Sequence, residues 1–112
     1  MIDEFYTSDG RTIFVAIDNG DVVGAIGIDY ADRSLGLIRH IAVLPGKQKQ
    51  GVGGHLINHA AVVLELAAIG AEMDQDAIGF YAACGFKTKE IKSQYPGVRR
   101  FRCLKGVTNS EC

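Results

Sequence analysis

The sequence lacks several features that would each assign it to a particular class of protein. No apolar run approaches the ~18 residues of a membrane-spanning helix, and residues 1–4 have neither the basic nor the apolar region of a signal peptide. The net charge of −1 argues against electrostatic binding to nucleic acid or to an anionic membrane. These absences predict a cytoplasmic protein without a nucleic-acid or membrane partner.

Cysteine is scarce as well. Cys84, Cys103 and Cys112 are odd in number and show neither Cys-x-x-Cys nor the His/Cys spacing of a metal site. Free thiols in a reducing cytoplasm account for them most simply, and we expect no metal. The 112 residues leave room for a single domain, residues 1–112, with one modest hydrophobic core.

Glycine, by contrast, is abundant, and three glycines follow directly on an apolar segment. The apolar segment that ends at Val43 is typical of a strand, and Gly51, Gly53 and Gly54 come after it at the start of a helical pattern. The first N–H groups of a helix have no intrahelical partner. Together with the helix dipole they form an anion site that suits phosphate. The alternative is that these glycines only allow close packing.

Three phosphate-binding motifs can be compared with this turn. A Walker loop requires Gly-Lys-Ser or Gly-Lys-Thr, and neither occurs in the chain. A dinucleotide fingerprint requires Gly-x-Gly-x-x-Gly, and Leu56 stands where the third glycine belongs. The third pattern, Gln-x-x-Gly-x-Gly, is met by Gln48 to Gly53.

This third pattern resembles motif A of the GNAT superfamily of N-acetyltransferases, which bind acetyl-CoA. Ile41–Pro45 is similar to the end of the family's fourth strand, and Asp76–Phe86 is similar to its Ala-x-x-Phe-Tyr-x-x-x-Gly-Phe helix and turn. The resemblance covers roughly residues 12–104. It implies a mixed α/β fold of the GNAT type: an antiparallel meander, a helix, a short strand, a second helix and a C-terminal hairpin.

The resemblance also implies a function and a set of site residues. The function is direct transfer of acetyl from acetyl-CoA to an amine, in a ternary complex with a small-molecule or peptide acceptor. Tyr81 matches the tyrosine that faces the coenzyme sulfur, where a phenol can donate a proton to the departing thiolate. Phe80 is expected in the core. The coenzyme-binding residues would be Ile41, Ala42, Val43, Gln48, Lys49, Gln50, Gly51, Val52, Gly53 and Gly54.

No general base can be assigned from the sequence. The strand positions that face the thioester in the family correspond to Leu37 and Arg39, and neither accepts a proton. His40 lies next to them, but strand alternation turns it to the other face unless a bulge changes its direction. A relay through water is therefore the default.

Periodicity and turn residues predict the following elements. Residues 1–10 are a lead-in, and the Asn-Gly of residues 18–21 makes a hairpin turn. A helix running from Val52 to about Gly70 is preferred to one that ends near Val62 and is followed by a strand at Val63–Ile69. The other predicted elements are strands Thr12–Ile17, Val22–Asp29 and Leu35–Val43, helix Ala77–Cys84, and hairpin strands Lys87–Ser93 and Val98–Leu104.

Two departures from the family pattern leave alternatives open. The meander begins near residue 12, so the helix pair that precedes it in typical members is missing. The long helix leaves only Ala71–Asp74 for the fifth strand, which would shorten the coenzyme cleft. A second subunit could supply the missing wall, which predicts a homodimer. The alternative functions are a non-catalytic acetyl-CoA-binding or regulatory module and, more remotely, an NAD-binding fragment.

Overall fold

The described part of the chain folds around a seven-stranded mixed sheet. The structure, a computed structural model, describes residues 2–48 and 51–107. Its strands are β1 (Ile2–Ser8), β2 (Arg11–Asp18), β3 (Asp21–Asp29), β4 (Gly36–Val43), β5 (Ala68–Asp74), β6 (Lys87–Ile91) and β7 (Arg100–Gly106), and its helices are α1 (Val52–Val63) and α2 (Ile78–Ala83). The strand order is β1-β2-β3-β4-β5-β7-β6. The mixed α/β fold implied by the resemblance is confirmed.

The N-terminal part of the sheet is an antiparallel meander of four strands. The predicted lead-in at residues 1–10 is wrong, because β1 pairs with β2 from Ile2↔Ala16 to Ser8↔Arg11. All of β1 except Ile2 is exposed, so the backbone ladder rather than side-chain burial holds it. The Asn-Gly turn is confirmed, with φ of 52° at Asn19 and 83° at Gly20.

The first helix is shorter than the preferred prediction. It ends at Val63 because Glu65 takes a left-handed conformation, with φ of 54°. Leu66 N–H then donates to the Ala61 carbonyl and Glu65 N–H to the Val62 carbonyl, the bond pattern of a Schellman cap. Leu66 is 1% exposed, so the turn brings an apolar side chain into the core.

This early helix end gives β5 its full length of seven residues. The short strand at Ala71–Asp74 and the alternative strand at Val63–Ile69 are both wrong in their bounds. β5 lies parallel to β4, but the two strands pair only at Gly36↔Ile69 and Leu37↔Gly70. Beyond Leu37 they diverge and leave a gap in the middle of the sheet.

The C-terminal part follows the predicted order. Asp74 accepts a hydrogen bond from the Asp76 N–H and caps a short 3₁₀ turn that leads into α2, and Gly85 ends the helix with φ of 91°. The turn at Tyr95 is closed by a bond from the Val98 N–H to the Tyr95 carbonyl. The hairpin strands β6 and β7 begin and end within a few residues of their predicted bounds.

Both helices pack on the same face of the sheet. Their contact residues join one continuous core, which contains Phe14, Ile26 and Ile28 of the meander. Among the described residues no helix covers the opposite face, and β1 is joined to β2 by the short turn at residues 9–10 instead of a helix pair. Neither described helix is long and apolar enough to cross a membrane.

Candidate active site

The loop between β4 and α1 has the geometry expected of an anion site. Gly51 is the N-cap of α1 and has φ of 81°, which only glycine adopts at little cost. The first intrahelical bond of the described loop runs from His55 N–H to the Gly51 carbonyl. The N–H groups of residues 52–54 therefore lack an intrahelical partner and are available to an anion.

A cleft of about 880 Å³ opens in front of these N–H groups. One wall is the end of β4, another is the first turn of α1, and α2 closes the third side. Its lining residues are Ile41, Ala42, Val43, Lys47, Gln48, Gly51, Val52, Gly53, Gly54, Asn58, Phe80, Ala83 and Cys84. The cleft lies beside the gap between β4 and β5, so a ligand can reach from the helix start toward the middle of the sheet.

The two helices approach each other closely at Gly53. A Cβ added there would lie 2.8 Å from the ring of Phe80, which is closer than real contacts allow. The close-packing explanation therefore holds for Gly53. Phe80 itself is 40% exposed and lines the cleft, so its expected place in the core is wrong.

Polar contacts fix the loop entrance. The Gln48 side chain donates to the Val43 carbonyl at 3.2 Å, which ties the loop to the end of β4. Lys47 lines the cleft and pairs with Asp18 of the neighbouring hairpin at 3.0 Å. The ammonium of Lys47 is thereby held near the place where a phosphate would bind.

Tyr81 lies deeper than the cleft-lining residues. It is 5% exposed, packs edge-on against Phe80 and Phe86, and does not line the cleft. Burial raises the pKa of its phenol above the ordinary value. Burial also raises the pKa of the Cys84 thiol, and the nearby Lys105 opposes this shift.

β4 contains a bulge beside the point where it leaves β5. Ile28 pairs with Ile38 and Gly27 with His40, so Arg39 is an extra residue. Ile38 belongs to the core, whereas the His40 side chain lies over Gly27 on the opposite face, 3.9 Å from where a Cβ of Gly27 would be. The bulge has therefore changed the direction of His40, which now shares a face with Arg39.

Comparison with known proteins agrees with this geometry. The family model for the acetyltransferase (GNAT) domain matches residues 9–88, which is more than half of the chain. The chain belongs to the GNAT acetyltransferase family.

Solved structures with the same fold are similar over most of this GNAT domain. An E. coli ribosomal-protein-S18-alanine N-acetyltransferase matches at 21% identity and a TM-score of 0.74, over 91% of this chain and 72% of that one. A GNAT family acetyltransferase from Elizabethkingia anophelis with acetyl-CoA bound matches at 18% identity and a TM-score of 0.67. The match covers 88% of this chain and 77% of that one. A proposed streptothricin acetyltransferase from Bacillus anthracis, in complex with acetyl coenzyme A, matches at 20% identity and a TM-score of 0.80. The match covers 90% of this chain and 65% of that one.

The GNAT domain brings together most of the site residues predicted from the sequence. All the described members of the predicted coenzyme set line the cleft. Lys49 and Gln50, the remaining two, lie outside the described residues. Tyr81 stays a predicted catalytic residue. Sequence reasoning missed Asn58, Phe80, Ala83 and Cys84 as lining residues, and only the i, i+3, i+4 spacing of the last three could have indicated them. Within the described residues, no three His, Cys, Asp or Glu side chains are grouped so as to hold a metal ion.

Proposed function

We propose that this GNAT domain transfers acetyl from acetyl-CoA to an amine by direct attack in a ternary complex. The observation that carries the proposal is the continuous path from the free N–H groups of α1 to the gap between β4 and β5. A pyrophosphate would lie at the N–H end of this path and a thioester at its gap end.

The pyrophosphate would bind at the start of α1. Unpaired N–H groups and the helix dipole both favour an anion there, and the ammonium of Lys47, paired with Asp18, lies at the cleft wall. The pantetheine arm would then lie along residues 41–43, whose strand edge faces the gap because β5 has already diverged. This arrangement directs the thioester toward the bulge at Arg39.

The bulge supplies a means of polarising the thioester carbonyl. A bulged residue leaves backbone groups outside the ladder, and this bulge lies next to Leu37, the last residue of β4 that pairs with β5. An N–H donor directed at a carbonyl oxygen stabilises the negative charge that develops during attack. The chain's own backbone would therefore activate the acetyl group.

Tyr81 would act on the leaving sulfur. The Tyr81 hydroxyl has no hydrogen-bond partner in the part of the chain that the structure describes, so its proton is available to a ligand. Because burial raises the pKa of the phenol, full transfer of its proton to a thiolate is costly. Donation of a hydrogen bond to the developing thiolate is the less costly role.

Calorimetric titration with acetyl-CoA tests the proposal, and a variant pair places the site. Gly54→Glu puts a carboxylate among the free N–H groups, in a position where a Cβ meets nothing closer than the Cys84 sulfur at 3.8 Å. We expect saturable binding by the native chain and a loss of at least tenfold in affinity for Gly54→Glu, because two anions would compete for one site.

His55→Glu is the matched control. His55 is exposed, lies in the same helical turn and does not line the cleft, so its carboxylate has the same effect on the helix without meeting the coenzyme. Affinity close to that of the native chain is expected. Equal losses in the two variants would mean that the helix start is not the site.

A non-catalytic acetyl-CoA-binding or regulatory module is the second candidate. The low exposure of Tyr81 and its absence from the cleft lining favour it. Both functions require coenzyme binding, so titration does not separate them. An acetylation assay with a panel of amines, monitored by release of the CoA thiol, separates the two functions. Tight binding without turnover on any amine would establish the binding module.

A further inference from the structure

A groove of about 550 Å³ lies on the sheet face that the helices leave uncovered. Its six lining residues are Arg11, Ile13, Gly27, Asp29, Arg39 and His40. Arg39 and His40 are the second and third residues of β4 after Leu37, the last one paired with β5. The groove therefore adjoins the strand junction from the side opposite to the coenzyme cleft.

The groove contains two positively charged side chains and one negatively charged side chain. Asp29 receives a hydrogen bond from Arg11 Nε at 2.9 Å and another from Arg39 Nε at 3.0 Å, so one carboxylate serves two guanidinium groups. The hydrogen bond from Arg11 holds the pKa of Asp29 below its ordinary value, and the carboxylate stays ionised. Within the groove, the cluster of Arg11, Asp29 and Arg39 thus has one more positive charge than negative charges.

Arg39 has hydrogen-bond donors that are not used within the described residues. Only its Nε is engaged by Asp29, and within residues 2–48 and 51–107 its two terminal nitrogens have no hydrogen-bond acceptor. Its side chain is 58% exposed, so these nitrogens face the open groove. A guanidinium fork matches the geometry of a carboxylate, to which it can donate two parallel hydrogen bonds.

We propose that this groove binds the acceptor, and that the acceptor is an amine that also carries a carboxylate, as an α-amino acid does. Arg39 binds the carboxylate, the floor of Ile13 and Gly27 takes the carbon skeleton, and the amine lies beside His40. The inference rests on the proposed acetyl transfer and specifies its substrate class.

The chemical step balances with groups of this chain. The ammonium first gives a proton to the imidazole of His40, which lines the groove. The free amine nitrogen then attacks the thioester carbon, the carbon–nitrogen bond forms and the carbon–sulfur bond breaks. The sulfur leaves as a thiolate that accepts a hydrogen bond from Tyr81, and the second amine proton passes to the thiolate or to water.

The first experiment needs no turnover, so it is independent of the proposed function. Calorimetry measures the binding of N-acetyl amino acids and of the matching N-acetyl amino-acid amides, which differ only in the carboxylate. We expect the acids to bind at least tenfold more tightly, and Arg39→Gln to remove the preference, because a charge-assisted hydrogen bond is lost. Failure of both classes to bind, or equal affinities, would overturn the proposal whether or not acetyl-CoA binds.

Arg102→Gln is the matched control for this experiment. Arg102 is an exposed arginine that also pairs with a carboxylate, Glu72, at 2.8 Å, but it lies on β7 outside the groove. The preference for acids should survive in this variant. Loss of the preference in Arg102→Gln would mean that overall charge, rather than the groove, selects the ligand.

The second experiment measures acetylation of α-amino acids, their carboxamides and a polyamine. We expect Arg39→Gln to raise KM for the acids at least tenfold while KM for the amides stays the same, and His40→Asn to lower kcat with little change in KM. A polyamine preferred to every acid would overturn the substrate class, since Asp9 and Asp32 line the adjoining hollow. Absence of transfer to any amine would contradict the proposed function, while the binding experiment would still decide on the groove.

Discussion

The hydroxyl of Thr12 is enclosed in the core, where its oxygen has no hydrogen-bond partner among the described residues. A buried polar group without a partner costs free energy on folding. We expect Thr12→Val, which replaces the hydroxyl by a methyl group of similar size, to raise the free energy of unfolding by about 1 kcal/mol. Urea denaturation measures it. Thr88→Val is the control, because the Thr88 hydroxyl contacts the Cys103 sulfur at 3.3 Å, and no gain is expected.

The buried phenol of Tyr81 leads to a second prediction at this scale. Tyr81→Phe should leave the affinity for acetyl-CoA nearly intact and lower kcat, because it removes only the hydroxyl that we propose donates to the leaving sulfur. Since burial raises the pKa of the phenol, the native chain should lose this contribution only above the ordinary value of about 10. A pH profile of kcat for both proteins checks this, and equal kcat values would reject the role.

Single residues also show what the sequence could indicate of the site. The glycine-rich loop was predictable because helix starts and glycine spacing are local properties, and Gly51 to Gly54 do line the cleft. The groove was not predictable in the same way. Arg39 and His40 share a face only because of a bulge, and a bulge depends on the register between β3 and β4, which local patterns do not determine.

At the scale of elements, the end of α1 is held by a residue poorly suited to its conformation. Glu65 has φ of 54°, a region that costs an L-residue roughly 1–2 kcal/mol. We expect Glu65→Gly to stabilise the protein by about 0.5–1 kcal/mol, the remainder being lost to the flexibility of glycine in the unfolded chain. Thermal unfolding measures it. Glu65→Gln keeps the same backbone cost and should show no gain; equal stabilisation by both variants would point to charge instead.

Glu65 also explains why the helix bounds were mispredicted. A Schellman cap is recognised by glycine, and the nearest glycine is Gly70, so the pattern favoured a helix that continued to Gly70. β1 was missed for a different reason. Its side chains are exposed, with Phe5 at 73%, so they carry no burial periodicity. The inner strands β2 and β3 were predictable because their burial follows from their apolar residues.

At the scale of the whole molecule, the helix-free face of the sheet bears on subunit association. A homodimer stays a prediction: a second copy would cover apolar residues beside the groove, such as Val15, which is only partly buried. Light scattering at working concentration measures the mass. A mass of one chain would contradict the dimer.

The gap between β4 and β5 divides the sheet into two parts that share only two residue pairs. Because acetyl-CoA in the gap would contact both parts, it should stabilise the fold by about 2.7 kcal/mol at a hundredfold excess over Kd. Hydrogen exchange locates this effect. We expect acetyl-CoA to protect the amides of Ile41 and Val43 from exchange by more than global stabilisation accounts for. The amides of Phe14 and Ala16 on β2 should gain only the protection that global stabilisation gives. We expect NAD to leave both sets unchanged, and equal protection by NAD and acetyl-CoA would contradict a coenzyme-specific gap.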